Sequence, residues 1–139
     1  MNKILVYLSY ITILSAIALM GVATFWYLYP YKIITFEQPV RVLTPEVKRG
    51  EHMTYEVVFC KYTKKMPLIT KTFVDGIIYQ VPEGVARQND MGCNTNLVQM
   101  YIPKALPAGE FYVEINYRYE LNPIRTEDIT IQTERFTIL

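Results

Sequence analysis

Two hydrophobic patterns divide the chain. From Ile4 to Ala23 no charged residue occurs, and the polar positions Ser9, Thr12 and Ser15 can all bond back to a helix. Twenty helical residues rise about 30 Å, the thickness of a bilayer's hydrocarbon core. From residue 33 onward, alternation at period two replaces this unbroken run, and turn residues recur about every ten positions. The pattern predicts one N-terminal transmembrane helix within residues 1–31 and one all-β domain over 32–139.

The predicted strands differ in clarity. "ITFEQPVRVLT" (34–44) alternates around Pro39, and a proline without a ladder donor marks an edge strand or a bulge. "PEVKRGE" (45–51) reads as a turn. "MTYEVVFCKY" (53–62) places Met53, Tyr55, Val57 and Phe59 on one face, with Thr54, Glu56, Val58 and Cys60 on the other. "LITKTFVDG" (68–76) and "IIYQVP" (77–82) follow. The polar, Gly/Asn-rich stretch from Glu83 to Asn96 reads as a loop, and "LVQMYIP" (97–103) as a strand. The longest alternation sets Phe111, Val113, Ile115, Tyr117 and Tyr119 against Tyr112, Glu114, Asn116 and Arg118. "NPIRTED" reads as a connection, and residues 129–139 close the chain with a phase break at Glu134–Arg135 that suggests a bulge.

About seven short strands with regular turns predict an antiparallel β-sandwich, in which two half-apolar sheets bury their faces against each other. The stretches "VKRGEHMTYEVVFC" and "IPKALPAGEFYVEINY", each a turn leading into an alternating strand, resemble immunoglobulin-like domains at the superfamily level. The resemblance covers roughly residues 35–139. The chain departs from antibody-type domains in two ways: its only tryptophan, Trp26, precedes the domain, and Cys93 falls outside the long penultimate strand. The layout of one anchor and one small sandwich also resembles small uncharacterised single-anchor proteins of bacteria and phages. Neither resemblance specifies an activity.

The N-terminal segment has two readings. Lys3 and the Gly21-Val22-Ala23 triplet fit a signal peptide cut after Ala23, but the apolar run exceeds the usual 7–15 residues. Phe25, Trp26, Tyr27, Tyr29 and Tyr31 form an aromatic cluster of the kind found at membrane–water interfaces. Pro30 disfavours further helix, and Lys32 is the first charge after the run. An uncut signal-anchor is the preferred reading, with a secreted product cut at Ala23 as the alternative. Flanking charges nearly balance across the span. The short leader favours the N-terminus inside and the domain outside, periplasmic or extracellular.

Net charge is +1, which supplies no basic field for nucleic acid. Cys60 and Cys93 are the only thiols. Outside the cytoplasm such a pair is most simply a disulfide, with two buried free thiols or a reactive or metal-bound thiol as alternatives. His52 is the one histidine and sits at a turn-to-strand junction, so no Ser-His-Asp set can be assembled around it. The oxygen-rich series at 89–94 lacks calcium-loop spacing. "KYTKK" (61–65) reads as a solvated lysine-rich loop, with phosphate headgroups as a further possibility were its tip to face a bilayer. The twelve tyrosines divide between interface, core and surface.

No catalytic residue, cofactor or metal site, and no small-molecule substrate, is inferred. The expected function is a non-enzymatic protein-interaction module held at the bilayer, its partner a protein. Arg87, Asn89, Asp90, Tyr101 and Tyr112 are the candidate contact residues, and the edge near Pro39 and loop 83–96 the candidate surfaces. An accessory structural subunit of a membrane or virion assembly is the second expectation.

Overall fold

The computed structural model describes residues 3–75, the backbone of 77–85, and residues 91–139. Helix α1 runs from Lys3 to Leu28 without a buried residue, so the domain leaves most of its apolar surface uncovered. Two of the three polar side chains bond back to the helix as expected: Ser9 Oγ donates to the Val6 carbonyl (2.8 Å) and Thr12 Oγ1 to that of Leu8 (2.9 Å). The helix is long and apolar enough to cross a membrane.

The rest is built from strands in two largely antiparallel sheets. In the first, β1 (Ile34–Phe36) and β2 (Arg41–Val42) lie along one side of β4 (His52–Lys61), and β7 (Gly92–Tyr101) along the other. The second runs β3 (Glu46–Val47), β10 (Phe136–Ile138), β8 (Gly109–Asn122), β5 (Leu68–Asp75), β6 (Ile77–Val85). Strand β9 (Arg125–Gln132) shares the β10 side of β8. The β3–β10 pairing is parallel.

The two alternating stretches build the core. Met53, Tyr55 and Val57 from β4 meet Phe111, Val113 and Ile115 from β8, with Phe73, Met100, Ile131 and Phe136 completing one buried cluster fed by both sheets. The phase break at Glu134–Arg135 is where β9 gives way to β10. Thr133, buried there, holds the gap: its Oγ1 accepts from Val113 N (2.9 Å), and its own N–H donates to Val113 O (3.0 Å). Pro39 likewise divides β1 from β2. Between them Val40 leaves the first sheet and bonds Gln132 O and Glu134 N across the gap.

Four boundaries differ from the sequence expectation. The turn at 45–51 contains β3, whose two residues are held by pairing with β10. "NPIRTED" is mostly strand: Pro123 and Ile124 alone separate β8 from β9. Lys61, shared by the expected strand 53–62 and the expected loop 61–65, is the buried end of β4. The expected loop 83–96 is strand at both ends, to Val85 and from Gly92. A ladder of ten residue pairs with β4 outweighs the low strand propensity of Gly92, Asn94 and Asn96.

Candidate functional site

The most elaborated region is the end of the domain that receives the helix. Helix C-termini leave carbonyls without intrahelical donors, and the β8–β9 hairpin supplies them. Asn122 Nδ2 donates to Trp26 O (3.0 Å), and Arg125 Nη1 to Tyr27 O (3.0 Å) and Tyr29 O (2.7 Å). A guanidinium at this position also complements the negative end of the helix dipole. Arg125 is itself fixed by Glu127 at 3.3 Å and stands 5.8 Å from the centre of the Tyr31 ring. Beneath it, Ile33, Tyr119 and Leu121 form a second, smaller core against Tyr31, Ile34, Tyr117 and Ile129.

The lysine-rich stretch lies at this same end. Tyr62 N donates to Ile33 O (2.8 Å), and the Lys32 ammonium sits 4.0 Å above the Tyr62 ring. The Thr35 hydroxyl, aided by Lys32, holds the Tyr62 phenol below its ordinary pKa. Lys65 Nζ donates to Glu120 O (2.7 Å) and to Leu121 O, which ties the 62–67 loop to the hairpin that caps the helix.

Of the aromatic interface candidates, Phe25, Tyr27 and Tyr29 are exposed, while Trp26 and Tyr31 are half-buried. Phe25 and Tyr31 each pack against Tyr29, with ring centres 5.0 and 4.8 Å away. Cys60 and Cys93 are bonded (S–S 1.97 Å) and stand directly opposite each other on β4 and β7.

The partner-contact candidates are not brought together. Arg87, Asn89 and Asp90 lie outside the described residues. Tyr101 is exposed at the end of β7 far from the helix, its ring 5.5 Å from that of His52. Tyr112 is half-buried on the other sheet, with Arg135 at 5.6 Å. Among the described residues no group of three His, Cys, Asp or Glu is placed to hold a metal.

A feature without a sequence signal is the cleft between the sheets, which runs from β1 to β7. It has a volume of about 820 Å3 and is walled by Phe36, Val57, Phe59, Ile69, Val98 and Tyr117, with Lys61, Thr95, Asn96 and Gln99 also in its lining. Burial raises the pKa of the Tyr55 and Tyr117 phenols strongly and that of Tyr119 to about 12. Lys71 points toward the same interior, 5.6 Å from the Tyr55 ring centre, and burial lowers its pKa. Strand alternation predicts an apolar interior; it carries no sign of a cleft between the sheets.

No protein-family model and no curated protein matches the chain. Among solved structures, it is similar to an alkylpurine DNA glycosylase, AlkC, of Pseudomonas fluorescens bound to DNA containing an abasic site analog. There the identity is 6%, with 70% of this chain and 30% of that chain covered at a TM-score of 0.38. A beta-glucosidase from Listeria innocua in complex with glucose gives 12% identity, 80% and 17% coverage, and a TM-score of 0.39. The chain thus spans less than a third of either protein, and likenesses at these TM-scores carry no argument about function.

Proposed function

We propose that this protein is a membrane-anchored, non-enzymatic interaction module, its domain displayed outside the cytoplasmic membrane. The observation that carries the reading is the capping of α1 by Asn122 and Arg125. Those contacts use the carbonyls of Trp26, Tyr27 and Tyr29, so the end of the apolar helix is part of the domain's own hydrogen-bonded structure. Cutting at Ala23 would leave a capped helical stub with its aromatic rings in water, which disfavours the secreted alternative. The Cys60–Cys93 bond supports an oxidising compartment for the domain.

The domain is read as an immunoglobulin-like sandwich. Taking β1–β3 as one strand that changes sheets at Val40, and β9–β10 as one interrupted strand, reduces the segments to seven. The parallel pairing of the first strand with the last then fits that arrangement.

Purification of the full-length chain from its own membrane in mild detergent tests the role. The expected result is co-elution with a second protein in fixed stoichiometry; elution as a lone monomer without any partner overturns it. If the chain can never be isolated apart from a larger assembly, the accessory-subunit reading replaces it.

A further inference from the structure

The first sheet has two edges, and of these β7 carries neither a charge nor a proline. Val58 O accepts from Glu37 N (3.0 Å) and Thr54 O from Leu43 N (2.9 Å), so these β4 residues direct their backbone groups toward the first strand. Their partners across the other ladder, Thr95 and Gln99, with Leu97 between them, therefore occupy non-hydrogen-bonded positions against β4. The N–H and C=O groups of Thr95, Leu97 and Gln99 thus point outward, away from β4. Among the described residues no strand pairs with them.

Proteins blunt such edges with charges, prolines or bulges. The sequence GCNTNLVQMY of β7 has no charged residue and no proline, and its ladder with β4 runs through ten pairs without a register shift. Leu97 is 66% exposed on it. The 820 Å3 cleft between the sheets reaches this edge: Thr95 to Gln99 line it from β7 and Ile69 from β5, and it extends inward past Lys61 to Phe36 of β1. The second sheet continues past β5 to β6, whereas the first stops at β7.

We infer that β7 is a docking edge for one extended, uncharged peptide segment of a partner protein. The segment adds as a strand alongside β7, over β6, and drops alternate apolar side chains into the cleft. Backbone pairing supplies affinity in this mode and the pocketed side chains supply selectivity. A second copy of this chain is a poor occupant, because its own β5 lies under its own β7 and would meet the overhanging β6. The inference rests on the interaction-module reading and names the surface that reading uses.

The test uses the full-length chain in dodecyl maltoside and a fluorescein-labelled nonapeptide of alternating threonine and valine. Anisotropy should rise to saturation, and amide exchange should slow at Thr95, Leu97 and Gln99. L97P removes one outward N–H while leaving the β4 ladder intact, and should weaken binding by about tenfold. Because proline can also disturb β7, L97K, which keeps the backbone and puts a charge on the edge, must weaken it in the same direction. Absence of binding at millimolar peptide, binding indifferent to both variants, or protection at 34–42 instead of β7 would each overturn the inference. A dimer dissolved by L97P would also overturn it, by making a second copy the occupant. Failure here leaves the anchor intact, and proteolytic release of the domain leaves peptide binding intact, so the two readings fail separately.

Discussion

The two edges of the β4 sheet are built on opposite plans. On one side the chain is broken at Pro39, carries Glu37 and Arg41, and is stitched across to the other sheet through Val40 and through Glu134, whose Oε2 accepts from Val42 N at 3.0 Å. On the other side β7 runs unbroken for ten residues, uncharged, and is tied to the domain by its ladder and one disulfide. The first edge carries the proline and charges that blunt a sheet edge, and the second carries neither. Proline alone, visible in the sequence, marks an edge without saying whether it is the available one.

The largest expected effect comes from removing the bond that holds β7. The C60S/C93S pair opens a 33-residue separation and should cost about 4 kcal/mol in the chain-entropy account. Urea unfolding of the oxidised and mutant chains measures it. A loss under 1 kcal/mol would mean the β4–β7 ladder needs no such tie.

Alkali should come next. Tyr55, Tyr117 and Tyr119 have raised phenol pKa values when folded, so unfolding releases protons more readily above pH 10. Their contribution is fully present below pH 10 and is lost as pH climbs beyond it. Lys71 acts oppositely: its lowered pKa makes stability rise with pH up to about 10.5, but it is one group against three. Absorbance at 295 nm should show late-titrating tyrosines that ionise together with unfolding. Ionisation of every tyrosine near pH 10 with the fold intact would show the interior to be wetter than the burial of these rings implies.

R125A removes the cation that caps α1 and should cost about 1–2 kcal/mol, with amide exchange loosening in residues 26–31 and little change at β7. Equal loosening at β7 would mean the helix junction and the open edge are one cooperative unit. The smallest effect belongs to E134A, which removes the acceptor for Val42 N and should cost about 1 kcal/mol, felt at β2 alone.

Much of this was legible. One buried face forces strict alternation, so β4 and β8 and their inward residues could be read directly. The helix could be read because the bilayer demands an uninterrupted apolar length. The first turn of β7 could not, since Gly92, Asn94 and Asn96 carry no strand signal and are held by β4's ladder and the Cys60 bond. Nor could the start of β9, where Arg125 and Glu127 look like turn residues but serve the helix cap. The cleft was invisible for a different reason: it depends on how many strands each sheet contains, which no local pattern states.

The central claim is that α1 stays attached and is part of the domain's structure. Intact mass of the protein from the membrane fraction, under non-reducing conditions, tests it most directly. The account predicts a mass that retains the residues up to Ala23, lowered by two hydrogens for the disulfide. A mass beginning at Thr24 would contradict it.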